Sequence, residues 1–196
     1  MKKIVSVICL AMAVLAGSVF AADKKDIGFY GKATIGYASI TPTEEYYSGS
    51  WSHFEIAPVF GVTGLVPLPH FAIEGFLNFD FGGKNYVFAD VQSIIMTPGS
   101  RAVWAPPISF FSGKTGTWHD QLIPYVGAGF SVPIVFIESK YPGGKSNDSK
   151  VYFDGELQWG CRWAFNDKIA VLAENNLAFG GIFKYSFTAG AIYAFK

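Results

Sequence analysis

The sequence predicts an all-β protein, an eight-stranded antiparallel up-and-down transmembrane β-barrel. Aromatic residues make up 17% of the chain and charged residues only 15%, whereas soluble domains have roughly 25% charged residues. Apolar residues also recur at every second position, so that each predicted strand has one aromatic face and one small or polar face. A barrel in a membrane turns its apolar face outward to lipid, which this pattern satisfies.

The N-terminus has the pattern of a secretory signal peptide. Lys2 and Lys3 precede an apolar run at 4–15, and small residues stand at −3 and −1 of a cleavage position after Ala21. We therefore expect a signal peptide at 1–21 and an outer-membrane β-barrel domain at 22–196. An uncleaved anchor helix is the alternative, which the short apolar run disfavours. After residue 22 no apolar run approaches the roughly 20 residues that a spanning helix needs.

The first four strands are predicted at 27–37, 52–63, 71–81 and 92–104. In each of them the apolar residues share one parity, and Pro, Gly and Ser mark the connections between them. The fourth strand has the weakest pattern, since it could lie anywhere within 91–111. The alternative places it at 101–111 and makes the preceding residues a loop.

The last four strands are predicted at 122–137, 151–163, 168–177 and 183–195. The final strand alternates most clearly, because Phe183, Phe187 and Phe195 share one face and Lys184 lies on the other. We expect it to close the barrel by pairing with the first strand on one side and the seventh on the other.

The ionisable residues collect on the small or polar faces of the strands. In a soluble barrel the aromatic faces would point inward, and a core just wide enough for side chains could not hold so many large residues. With the aromatic faces outward, the charges meet partners of opposite sign in the lumen. We predict a lumen salt-bridge network, with a transport or catalytic role as the alternative. Its members are Lys32, His53, Glu55, Glu74, Arg101, Asp154, Glu156, Arg162, Glu174 and Lys184, and Asp80 lies on the same face.

Two segments carry a resemblance to a known family. The segment 124–130 reads PYVGAGF, and the last strand places a polar residue, a glycine and two aromatic residues at Thr188, Gly190, Tyr193 and Phe195. With the signal peptide, these resemble the OmpA-like and opacity-protein-like eight-stranded outer-membrane barrels. The resemblance implies an assembly signal at these four residues, insertion by the barrel-assembly machinery, outer-membrane lipid as surroundings and a monomeric barrel. Lys196 departs from the family, whose chains usually end on the aromatic residue.

The first functional hypothesis is a small barrel with a filled lumen and surface-exposed loops, serving envelope structure or contact with a host or other surface. The loops would be 39–51, 82–91, 138–150 and 178–182. Tyr46, Tyr47 and Trp51 are candidate adhesive aromatics, although the sequence favours an aromatic girdle or packing within the loop for them. The alternative is a channel for small hydrophobic or polar solutes, as the resemblance to OmpW-like relatives would imply.

Other classes of function have little support in the sequence. The formal net charge is zero and gives no indication of a nucleic-acid partner. The three histidines lie in separate elements without the spacing of metal ligands, and no serine stands at a suitable distance from His53 for nucleophilic catalysis. We therefore expect no enzyme activity, cofactor or metal. Only Cys161 remains after signal cleavage, so we expect no intramolecular disulfide.

Overall fold

The computed structural model describes residues 27–42, 50–66, 68–86, 89–107 and 118–195. Within them the chain forms ten strands and one short helix. The elements are β1 (Gly28–Pro42), β2 (Trp51–Thr63), β3 (Phe71–Tyr86), β4 (Ala89–Trp104), α1 (Trp118–Gln121), β5 (Leu122–Ser131), β6 (Ile134–Tyr141), β7 (Gly144–Val151), β8 (Asp154–Ala164), β9 (Ile169–Gly180) and β10 (Ile182–Phe195). The predicted signal peptide and residues 43–49 lie outside the described residues.

These ten strands make a ring of eight, because β5 and β6 together form one interrupted strand and β7 and β8 form another. β5 and β6 both pair with β4 and are interrupted only at residues 132–133, while β7 and β8 are interrupted only at 152–153. The register of β6 with β7 is the same as that of β5 with β8, so neither interruption shifts the pairing. Each continuous strand pairs antiparallel with its neighbours in sequence, and β1 pairs with β10. The predicted up-and-down barrel and the position of the last strand are confirmed.

The stagger of the barrel follows from its registers. Consider a path that goes once around the barrel, stepping from each residue to the residue paired with it on the next strand. The path starts on β10 at Lys184, passes Glu156, Arg101 and Glu74, and returns to β10 at Ala194. It thus ends ten residues farther along the strand (194 minus 184). Such a stagger tilts the strands relative to the barrel axis, as closure of an eight-stranded sheet requires.

The aromatic face points outward. Phe183, Phe187 and Phe195 expose 48%, 54% and 51% of their surface, whereas their strand neighbours Lys184 and Thr188 are buried in the interior. The same alternation holds along β2, β3 and β9. An interior lined by charged residues and an exterior lined by aromatic residues is the arrangement of a barrel that lies in lipid. None of the described helices is long and apolar enough to cross a membrane.

Several predicted connections are instead regular structure. Residues 82–86 and 89–91, expected as a loop, continue β3 and β4 as a hairpin, and 138–150 forms the end of β6 and nearly all of β7. The segment 144–150 is polar on both faces, so its periodicity gave no sign of a strand, yet its backbone pairs with β6. β4 occupies the favoured position rather than 101–111. The connection between β4 and β5 includes the one-turn helix α1.

Candidate functional site

The inward faces of the strands bring most of the predicted lumen residues together in the interior. Nine of the ten are buried: Lys32, His53, Glu55, Glu74, Arg101, Asp154, Glu156, Glu174 and Lys184. Their positions follow from the alternation of the strands, since every second residue of a barrel strand faces the lumen. The contacts divide them into two clusters at different depths.

The first cluster, here called the Glu74–Glu174 cluster, centres on two glutamates from opposite sides of the barrel. Lys32 Nζ lies 3.2 Å from Glu74 Oε2 and 3.0 Å from Glu174 Oε2, and Arg101 Nε donates to Glu74 Oε2 at 2.7 Å. The hydroxyls of Tyr30 and Tyr125 donate to Glu74 and Glu174, each at 2.8 Å. Every carboxylate in this cluster therefore has both a cation and a hydroxyl donor.

The second cluster, the Lys184 cluster, holds one cation between two carboxylates. Lys184 Nζ lies 2.8 Å from Asp80 Oδ2 and 3.1 Å from Glu55 Oε2. Glu55 and Asp80 are directly opposite each other in the β2–β3 register. Two like charges in that position repel each other, so Lys184 is what allows both strands to carry a carboxylate there.

Three of the buried residues make contacts of another kind. Asp154 Oδ1 accepts hydrogen bonds from the backbone N–H groups of Gly181 and Ile182, where β9 turns into β10. Glu156 accepts a hydrogen bond from the Ser131 hydroxyl at 2.6 Å. His53 Nε2 lies 2.6 Å from Ser93 Oγ, so the expectation that no serine stands near His53 is wrong, because β4 brings residue 93 close to His53. None of these three forms an ion pair with a lysine or arginine in the described part of the chain.

Arg162 does not join either cluster, contrary to the sequence-based expectation. It is only partly buried, and it lines a cavity at the end of the barrel that carries the chain termini. The alternation of β8 did place its side chain on the inward face, but periodicity carries no information on depth along the barrel axis. Conversely, Tyr125, Asn176 and Ser131 are partners that the sequence did not indicate. Tyr125 lies within the PYVGAG segment, which is the one signal that could have drawn attention to it.

Among the described residues, the interior contains six buried carboxyl groups but only three buried cations. The buried carboxylates are Glu55, Glu74, Asp80, Asp154, Glu156 and Glu174, against the buried cations Lys32, Arg101 and Lys184. Among other buried polar groups, both side-chain amide atoms of Gln158 and the hydroxyls of Thr34 and Thr97 have no hydrogen-bond partner. The described residues include no group of three His, Cys, Asp or Glu side chains arranged to hold a metal ion.

An apolar cluster lies beyond the Lys184 cluster, at the end of the barrel where β6 and β7 project. This apolar cap consists of Ala38, Ile40, Trp51, Val91, Ile95, Val135, Ile137 and Ile182, with Tyr152 packed against it. Trp51 is only 3% exposed, so of the two interpretations of this residue the adhesive one is wrong: the alternation of β2 turns it inward. Tyr46 and Tyr47 lie outside the described residues.

The opposite end of the barrel opens into a cavity of about 880 Å³, here called the vestibule. Its lining extends inward to Lys32, Glu74 and Tyr125 of the first cluster and outward to the β8–β9 turn. From this end toward the end where β6 and β7 project, the barrel therefore contains an open vestibule, two buried polar clusters and an apolar cap.

Similar solved structures are bacterial outer-membrane barrels. The neisserial surface protein A has a TM-score of 0.62 and 14% identity, over 86% of this chain and 99% of its own. A major outer membrane protein of Thermus thermophilus has a TM-score of 0.58 and 8% identity, over 84% and 99%. Ail, the attachment invasion locus protein of Yersinia pestis, has a TM-score of 0.51 and 12% identity, over 85% and 98%.

The chain has the fold of an eight-stranded bacterial outer-membrane β-barrel. The resemblance inferred from the sequence is thus confirmed at the level of the fold. No protein-family model matches the sequence, and no curated protein matches it significantly.

The four residues of the predicted assembly signal divide between the two faces of β10. Thr188 is buried and donates to Glu174 at 3.4 Å, whereas Tyr193 and Phe195 lie outside with their ring centroids 5.4 Å apart. Gly190 lies where β10 closely approaches the backbone of β1. Their recognition by the assembly machinery stays a prediction.

Proposed function

We propose that the protein is an outer-membrane barrel that contacts a host or another external surface through the sheet projecting from its capped end. The observation that carries this proposal is the length of β3, β4, β6 and β7. The ends of these four strands that lie beyond the apolar cap are here called the projecting sheet. Beyond Ile137 of the apolar cap, β6 continues for residues 138–141, about 13 Å of strand, and pairs with both β4 and β7. The chain termini, at the opposite end, then face the periplasm.

The chemistry of this projecting sheet suits a contact surface. Every residue of 140–149 is exposed, and the segment contains lysines, an aspartate and hydroxyl-bearing residues. β7 stands at the end of the sheet order, and no described strand pairs with its outer edge. Such an edge offers free backbone donors and acceptors to a partner in extended conformation. A polar edge strand also avoids the aggregation that a hydrophobic one would promote.

The interior supports a sealed lumen rather than the alternative of a solute channel. A water-filled passage would expose the side chains along it, yet the charged members of both polar clusters are 0–4% exposed. The apolar cap adds a layer without charged groups above them. One similar structure, of Ail, contains the heparin analogue sucrose octasulfate, which supports binding of an external ligand as a role for this kind of barrel.

The test combines adhesion with conductance. Bacteria that display the protein are compared with bacteria whose variant has 140–147 shortened to a two-residue turn, on heparin-coated and serum-protein-coated surfaces. We expect the variant to lose adhesion while staying folded, as judged by resistance to unfolding in cold detergent. Equal adhesion of both, or stable single-channel conductance of the purified protein in a planar bilayer, would contradict the proposal.

A further inference from the structure

Arg162 is a partly buried cation inside the vestibule without an ion pair. Neither a hydrogen bond nor a salt bridge of its guanidinium is found among the described residues, whereas Arg101, the other arginine of the chain, is bound to Glu74 at 2.7 Å. A guanidinium stays charged at all relevant pH values. Even partial burial of such a charge without a counter-ion is unfavourable, and an ionisable side chain that lines a cavity of a membrane protein often marks a site of function.

The charges that surround Arg162 are already engaged or lie in water. On the floor of the vestibule, Lys32 bridges Glu74 and Glu174, so neither carboxylate is available to the arginine. The remaining charged lining residues, Asp120, Asp167 and Lys168, are exposed at the mouth. Solvent and salt screen those groups strongly. Arg162 is therefore the interior charge that a ligand could satisfy.

The size and walls of the vestibule indicate the rest of the ligand. Its volume of about 880 Å³ lies in the range of about 300–1,000 Å³ seen for small-molecule sites. Leu68, Val103 and Ile123 contribute apolar surface, and the Tyr30 and Tyr125 hydroxyls are turned toward Glu74 and Glu174. An apolar wall with a single unpaired planar cation fits an apolar group that ends in an acid.

We propose that the vestibule binds a small carboxylate with an apolar tail, such as a medium-chain fatty acid. The carboxylate accepts two parallel hydrogen bonds from the Arg162 guanidinium, the geometry in which arginine and carboxylate match best. The tail lies along Leu68, Val103 and Ile123. This site is separate from the projecting sheet at the other end of the barrel, so it stands or fails independently of the proposed surface function.

The arginine composition of the chain allows a direct test. Because Arg101 and Arg162 are its only arginines, protein labelled with ¹⁵N-arginine and held in phosphatidylcholine nanodiscs shows two side-chain Nε–H signals. Titration with octanoate is expected to shift the Arg162 signal saturably and to leave the Arg101 signal in place. Octanamide, which has the same tail and no charge, is expected to cause no such shift. A missing or unsaturable shift, or an equal shift with octanamide, would overturn the proposal.

Variants separate the site from a general attraction of charge. Octanoate binding, followed by ligand-observed saturation transfer against empty nanodiscs, is expected to weaken about tenfold in Arg162→Gln and to stay within about twofold in Lys168→Gln, which removes an exposed charge at the mouth. If Arg162→Gln does not fold, Arg162→Lys retains the charge without the planar fork and is expected to bind severalfold more weakly than the native protein. Unchanged binding in the Arg162 variants, or an equal loss in Lys168→Gln, would refute the site.

Discussion

Lys184 shows how a single side chain sets the charge balance of two neighbouring strands. Its ammonium lies between Glu55 and Asp80, which face each other across the β2–β3 pair. All three groups are almost completely buried. Breaking a buried ion pair by removing one partner leaves an uncompensated charge, which costs far more than losing an exposed pair.

The first prediction follows from that burial. Lys184→Met should lower the free energy of unfolding by about 3–5 kcal/mol, as measured by urea unfolding of the refolded protein through tryptophan fluorescence. Lys145→Met is the matched control, because Lys145 is well exposed and lies 3.8 Å from Glu138, and its change should stay within about 1 kcal/mol.

A compensating variant tests the cause of the Lys184 effect. Lys184→Met combined with Glu55→Gln and Asp80→Asn removes the cation together with both carboxylates, and it should recover much of the lost stability because no unpaired charge remains. If Lys184→Met unfolds at the same urea concentration as Lys145→Met, the Lys184 cluster does not stabilise the barrel.

At the scale of elements, the closure between β1 and β10 depends on close backbone approach. A Cβ placed on Gly190 would lie 2.0 Å from the carbonyl oxygen of Ala33, and one placed on Gly36 would lie 2.0 Å from that of Phe187. These glycines stand on opposite strands of the same seam. A side chain at either position would push β1 and β10 apart. These two strands are neighbours in the ring but not in sequence, so their pairing alone closes the ring.

The second prediction concerns this seam. Gly190→Ala should destabilise the barrel by about 1–3 kcal/mol through overpacking, whereas Gly143→Ala, with nothing within 4 Å of the added carbon, should have little effect. Unfolding from lipid vesicles in the absence of assembly machinery measures packing alone, which separates this effect from any role of Gly190 as an assembly signal. Equal stability of the two variants would show that the seam adjusts without cost.

At the scale of the whole molecule, the two ends of the barrel differ in chemistry. One end has the apolar cap and the projecting sheet, and the other has the start of β1, the end of β10 and the vestibule. Barrels of this kind have short periplasmic turns and longer external connections. This asymmetry is the basis of the proposed orientation, with the sheet outside.

The third prediction tests this orientation. In a Cys161→Ser background, a membrane-impermeant maleimide should label Ser146→Cys on intact cells and should label Lys168→Cys only after the outer membrane is permeabilised. Both positions are exposed in the structure, so access and not burial decides the outcome. The reverse pattern of labelling would place the vestibule outside and contradict the proposed surface role.

Particular residues show how much of the structure could be predicted from the sequence. The period of two correctly assigned Phe187 to lipid and Lys184 to the interior, because a strand has only two faces and their chemistry differs sharply. The same rule failed for residues 144–150, where both faces are polar and pairing with β6 alone holds the strand. Trp51 was expected at the surface because a loop was expected to reach it, whereas β2 begins there and turns it inward.

The sequence by itself determined the strand count, the side of the wall on which residues of the clearly alternating strands lie and the closure of β1 on β10, since alternation is a local property of the chain. Only the tertiary structure decided depth along the barrel axis. Closure of the ring brings Glu74 of β3 and Glu174 of β9 to the same lysine, Lys32 of β1, and leaves Arg162 in the vestibule. Those two contacts join residues 42 and 142 positions apart in sequence, and they exist only because the closed ring fixes the register of every strand.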